Sequence, residues 1–277
     1  MFERVIVGVR DDEAGRDAIA LAEQLVARDG RLALAHVLVV TSRPAPDSGA
    51  AVRAVESRQA TERLTALGRE LGVDAAFECV EARSVSQGLH ELASGRQADL
   101  LVVGASRRDE LLTLYIGDDT REVLEGAPCA VAVAPVGYSA RSAAMRRIGV
   151  AYDGSVASRR ALSLGRKLAT EWGAQLSACE VVPDTIYARD PWNVDGEIDE
   201  RVDEARRRLS DLGGLEPEAS SGDPVEELFR YAQTVDLLVM GSHRHSPIQR
   251  FMEESTAQQL ADGVPCPLLT SAAAAAA

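Results

Sequence analysis

Lysine is almost missing from this chain of 277 residues: of its 30 basic side chains only Lys167 is a lysine, and the rest are arginines. We read that as compositional bias rather than function. Net positive charge is missing too. Against 43 acidic residues the balance is −13. Such a chain repels a phosphate backbone and an anionic membrane surface, so no nucleic-acid partner and no membrane partner is expected. Long apolar runs are lacking. Leu32–Val40 and Leu100–Val103 are strand-sized, well short of the ~18–20 residues that span a bilayer. Met1-Phe2-Glu3-Arg4 leads straight into Val5-Ile6-Val7, so no secretory leader is expected. The four cysteines, Cys79, Cys129, Cys179 and Cys266, show no C-x-x-C spacing, so neither a zinc site nor a disulfide framework is indicated. Free thiols in a reduced, cytoplasmic compartment are the expectation. Ser106, Ser155 and Ser242 lack the G-x-S-x-G elbow of a hydrolase nucleophile. His243 and His245 form an H-x-H pair without a third ligand, and His36 and His90 read as structural. Trp172 and Trp192 read as packing residues.

What the chain does contain, it contains twice. Arg4-Val5-Ile6-Val7-Gly8-Val9 returns as Arg147-Ile148-Gly149-Val150-Ala151-Tyr152. Ala14, Arg16 and Ala18 return in the same register as Ala157, Arg159 and Ala161. Ala98-Asp99-Leu100-Leu101-Val102-Val103-Gly104 matches Val235-Asp236-Leu237-Leu238-Val239-Met240-Gly241, and Gly126-Ala127-Pro128-Cys129 matches Gly263-Val264-Pro265-Cys266. Matches in one order across both halves imply a duplicated domain. We expect domains over 1–137 and 146–271, a linker over 138–145 and a low-complexity tail over 272–277.

Each half alternates short apolar runs with amphipathic stretches. In the first half the pattern predicts strands at Val5–Val9, Leu32–Val40, Ala75–Val80, Asp99–Gly104 and Cys129–Pro135. Helices are predicted at Asp11–Arg28, Ala51–Leu71, Val85–Ser94 and Thr120–Glu125. The second half follows suit, with its third helix at Gly222–Ala232. Strands that are apolar throughout belong to parallel sheets covered on both faces. The fold class is therefore α/β: two doubly wound domains.

The second half carries the more specific signature. Val150-Ala151-Tyr152-Asp153-Gly154-Ser155 ends its first strand, Gly241-Ser242-His243-Arg244 follows a late strand, and Glu254-Ser255-Thr256 precedes Val264-Pro265-Cys266-Pro267-Leu268. This set resembles the universal stress protein family, once per half. The resemblance implies a five-stranded parallel sheet with about four helices per domain. It also implies a nucleotide site at the C-terminal strand edges and a loop of pattern G-x2-G-x9-G-[ST]. ATP is the ligand it implies, with Mg2+ arriving only with the nucleotide. An aspartate at the end of the first strand would lie near ribose and metal. The last strands, Ala130–Ala134 and Pro267–Thr270, would pair with each other as an intrachain pseudo-dimer, and a homodimer is a further partner to expect.

Carried over residue by residue, the second-half site comprises Ala151, Tyr152, Asp153, Val181, Met240, Gly241, Arg244, Ser255 and Thr256. The first-half site comprises Val9, Gly104, Arg107 and Gly117. Both loops depart from the family pattern. Arg244 and Glu254 replace two glycines in the second half. In the first, Arg107 replaces the middle glycine, Asp118 takes the Ser/Thr place, and Arg10 stands where the aspartate belongs, with Asp11 one step late. An arginine fork can bind phosphate. A carboxylate beside a triphosphate costs about 4 kcal/mol at ~4 Å and an effective dielectric of ~20. Nucleotide binding is accordingly expected in the second half rather than the first. The alternative is an interaction protein acting through its surface without a nucleotide. No residues position a base and an in-line water for turnover, so a binding module rather than an enzyme is expected, slow ATP hydrolysis being the weakest reading.

Overall fold

The computed structural model describes residues 1–10, 12–40, 49–105, 118–141, 144–183, 194–242 and 265–272, with the backbone alone at 49–53, 118–119 and 194–197. The chain divides into two units, Met1–Ser142 and Ala143–Ala277.

In the first unit the elements alternate: β1 (Phe2–Gly8), α1 (Glu13–Leu25), β2 (Val26–Val39), α2 (Gly49–Leu71), β3 (Ala76–Ala82), α3 (Val85–Gly95), β4 (Leu100–Gly104), α4 (Asp118–Leu124) and β5 (Ala130–Ala134). A short α5 (Tyr138–Arg141) follows. The strands are parallel in the order β3-β2-β1-β4-β5. The chain steps one way from β1 through α1 and α2, then returns across β1 through α3 and α4. Right-handed crossovers therefore put the two helix pairs on opposite faces. With both faces covered, β4 and β5 need apolar side chains on each side; Leu100, Leu101, Val102 and Val131–Ala134 are all buried.

The second unit has β6 (Arg147–Ala151), α6 (Val156–Trp172), β7 (Gln175–Val182), α7 (Val194–Asp211), β8 (Glu216–Ser221), α8 (Pro224–Ala232), β9 (Leu237–Met240) and β10 (Leu268–Thr270). Its order is β10-β9-β6-β7-β8, again parallel. The register repeats along with the order. Val5 lies between Leu32 and Leu100, and Ile148 between Leu176 and Leu237. Asp99 accepts bonds from the backbone N–H groups of Glu3 (2.8 Å) and Arg4 (2.9 Å), and Asp236 does the same for Arg146 (2.9 Å) and Arg147 (2.8 Å). This repeated aspartate is thus a clamp on the start of each first strand, far from the strand ends where ligands bind.

Three local expectations need correction. α1 stops at Leu25 rather than Arg28, because Val26 takes an extended backbone (φ −69°, ψ 140°) in place of a left-handed cap. The chain then runs extended, so β2 begins at Val26 rather than Leu32. α6 has the cap that α1 lacks: it reaches Trp172 and closes on Gly173 at φ 63°, a conformation glycine takes without a Cβ penalty. Third, residues 138–141 of the expected linker form α5, which packs on α1 and buries Tyr138.

The four cysteines are free. Burial pushes the Cys129, Cys179 and Cys266 thiols up from 9.0 to about 12, while Cys79 is half-buried. A raised folded-state value means that the unfolded chain loses its thiol protons first. Those three sites therefore stabilise the fold fully below about pH 9.0, and that contribution is lost as pH climbs towards 12. At pH 8 a maleimide should label Cys79 alone in the folded protein and all four cysteines in denaturant. Rapid native labelling of Cys129 or Cys266 would contradict the burial.

Candidate strand-edge sites

In a doubly wound sheet the crevice lies at the carboxyl ends of the strands where the order reverses. In the first unit that point lies between β1 and β4. Val9, just past β1, donates its N–H to Ala35 O at 2.8 Å, and its carbonyl receives His36 Nδ1 at 3.0 Å. Asp12 caps α1: Oδ1 accepts from Gly15 N at 3.1 Å. Its Oδ2 takes Arg10 Nε and Nη2 at 3.0 and 2.8 Å. The position where the family resemblance implies a lone carboxylate thus holds a locally neutralised ion pair. A cleft of about 110 Å³ opens here, walled by Gly8, Val9, His36, Leu89, Gly104 and Thr120 among others.

At the matching place in the second unit, Tyr152 donates its N–H to Cys179 O at 2.8 Å. Asp153 follows, exposed, with Oδ1 accepting from Ser155 N at 2.9 Å. Gly154 turns the chain at φ 74°. Ser155 caps α6 by accepting from Ser158 N at 3.0 Å. The parallel register carries Val181, near the end of β7, and Met240 with Gly241, at the end of β9, to the same edge as Ala151, Tyr152 and Asp153. Arg244, Glu254, Ser255 and Thr256 lie outside the described residues, as do Arg107, Gly117, Asp11, Trp192 and the His243/His245 pair. Asp118 is the first residue of α4.

Gly104 and Gly241 sit at the edge, but their local surroundings account for them without a phosphate. A Cβ on Gly104 would lie 2.0 Å from Ala14 O, and one on Gly241 would lie 2.6 Å from the carbonyl carbon of Ala157. Each is the spot where the first turn of a helix meets a strand end.

His36 is the residue that sequence reasoning set aside as structural. It does bond the backbone, yet it also lines the cleft. The repeat held the signal. Pairing register places Glu180 at its counterpart on β7, one residue before Val181. Glu180 Oε1 binds Arg208 Nη2 at 2.6 Å, a bond that pushes the guanidinium further up. His90, by contrast, is structural as expected, its Nε2 bonding Val123 O at 2.9 Å.

Two duplicated parallel α/β units, each with its strand order reversing at its first strand, define a tandem protein of the doubly wound α/β class. The family model described as "Universal stress protein family" matches residues 1–135 and 145–271. The chain belongs to the universal stress protein family. Among solved structures, a universal stress protein from Archaeoglobus fulgidus aligns at TM-score 0.68 and 14% identity, covering 97% of this chain and 96% of that one. A putative universal stress protein from Pseudomonas aeruginosa aligns at TM-score 0.67 and 18% identity, covering 98% and 93%. A shorter one, a universal stress protein in complex with cAMP, covers 47% of this chain and 98% of its own at 24% identity and TM-score 0.33. None of the curated proteins compared matches the chain. Among the described residues, no helix is long and apolar enough to cross a membrane, and no group of three or more His, Cys, Asp or Glu residues could hold a metal ion.

Proposed function

We propose that this universal stress protein is a stress-response binding module whose second unit takes ATP or a related adenine nucleotide. One observation carries the reading. Asp153 is exposed at the end of β6, between the ends of β7 and β9, with Gly241 across the edge. A carboxylate at the strand-order reversal can accept from a ribose hydroxyl or ligate Mg2+ brought by the phosphates. The residues of the first unit do not fit that ligand: Arg10 stands in the aspartate position, tied to Asp12. The cleft of about 110 Å³ falls well below the roughly 300–1,000 Å³ of ordinary ligand pockets. The role is binding rather than turnover.

Isothermal titration of nucleotide-stripped protein with ATP and Mg2+ tests it. The expected result is one site per chain. Asp153→Ala should weaken it at least tenfold, the size of one lost charge-assisted bond. Arg10→Ala should leave it unchanged. No heat at millimolar ATP would favour the reading in which the protein acts through its surface without a nucleotide. Two sites per chain would remove the assignment to the second unit.

A further inference from the structure

The cleft of the first unit is shaped for something other than a nucleotide. We propose that it is a separate binding site for an uncharged, single-ring molecule bearing an N–H or O–H donor, recognised by His36 Nε2.

The chemistry starts at Val9. A carbonyl oxygen only accepts, so the contact of His36 Nδ1 with Val9 O at 3.0 Å places the ring hydrogen on Nδ1. Neutral imidazole then has a lone pair on Nε2. Among the described residues that nitrogen has no hydrogen-bond partner, and it is not one of the buried unsatisfied atoms, so it is accessible. The second observation is space on both sides of the ring. His36 and Val9 line the cleft of about 110 Å³ and also a smaller cavity of about 40 Å³ under α2, with Ala60, Leu64 and Leu67. The larger alone approaches the roughly 150 Å³ of a cavity that admits benzene. The third is the lining. Ala35, Val37, Leu89, Val103 and Val123 offer apolar contact.

Charge at the rim argues against an anion. Arg10 and the Gly15 N–H, the groups that would meet one, are both engaged by Asp12. Arg63 stands exposed at the edge of the smaller cavity and is the one cation lining it among the described residues. A ring with a carboxylate is therefore the competing ligand that the test must separate.

The test uses the full chain, labelled with 15N, at pH 8, titrated separately with phenol, pyrrole, toluene, benzoate and AMP. Phenol and pyrrole should shift the backbone amides of Val9, His36 and Gly104 at millimolar concentration. Toluene should bind roughly three- to tenfold more weakly, the worth of one hydrogen bond. Benzoate and AMP should leave those amides unmoved. In His36→Leu the preference for phenol over toluene should vanish while toluene binding persists; a merely structural role would weaken both alike. Val85→Phe, which narrows the cleft from the first turn of α3 and leaves the His36 side chain in place, should abolish binding of both. The proposal is overturned if toluene matches phenol in the unaltered protein, if benzoate or AMP moves the same amides more strongly, or if no probe moves them.

Discussion

Gly104→Ala is expected to destabilise the first unit by about 3 kcal/mol, the upper end of what overpacking costs. The reason is a distance. The added methyl would sit 2.0 Å from Ala14 O and 2.7 Å from its carbonyl carbon, and both are backbone atoms. A side chain can change rotamer, but backbone in the first turn of a helix cannot move without taking the helix along. α1, which packs on β4 and buries Ala18, Leu21, Ala22 and Leu25, would have to lift off it. Gly241→Ala should be milder, about 1–2 kcal/mol, because its closest approach is 2.6 Å. Urea unfolding can tell the units apart. Both tryptophans, Trp172 and Trp192, lie in the second unit, so fluorescence follows that unit while far-ultraviolet circular dichroism follows both. For Gly104→Ala the dichroism midpoint should fall while the fluorescence midpoint holds. A Gly104→Ala protein within about 0.5 kcal/mol of the parent would mean that this close contact does not constrain the position.

The same glycine shows what the sequence could and could not convey. Its repetition at 241, after the same apolar run and Asp99 or Asp236, disclosed a duplicated α/β unit, because strand periodicity and order are local properties. The parallel, doubly wound sheet follows from that pattern; the strand order β3-β2-β1-β4-β5 and its register come from the structure. The roles of repeated residues were harder to read. Gly104, Gly241, Asp99 and Asp236 recur together, yet all four are explained by chain packing: two by a helix that abuts a strand end, two by a carboxylate that clamps a strand start. The informative positions at the sites are those where the halves differ. Arg10 faces Asp12 where Asp153 turns on Ser155, and His36 meets a carbonyl where Glu180 meets Arg208. Such differences change the ligand without disturbing the hydrophobic pattern, so periodicity does not report them. The helical stop at Val26 escaped for a related reason. The apolar spacing of α1 continues past Leu25, and only the backbone dihedral records the change.

Asp17→Asn should cost about 3–4 kcal/mol, again in the first unit alone. Asp17 is 1% exposed on the inner side of α1. Its Oδ2 accepts from Gly137 N at 2.7 Å, and its Oδ1 accepts from Ser139 N and Ser139 Oγ, both at 2.7 Å. Three donors converge on one carboxylate, and that fixes α5 against α1. An amide of the same shape has one oxygen and one NH2 group. Whichever way it is turned, a donor then faces a donor, and the buried N–H left behind keeps its desolvation cost. Sequence reasoning missed this contact because the partners are 120 residues apart in a stretch that reads as linker. Among the described residues the second unit has no equivalent: pairing register puts exposed Arg160 at the corresponding position. Arg160→Ala should therefore stay within about 0.5 kcal/mol of the parent. Hydrogen exchange supplies the local readout. The Gly137 and Ser139 amides should exchange roughly a hundredfold faster in Asp17→Asn, as a loss of about 3 kcal/mol implies. Because Ala14 and Gly15 of the same helix wall the cleft, phenol binding should weaken with it. Unchanged exchange at both amides would show that α5 is held by the burial of Tyr138 rather than by the carboxylate.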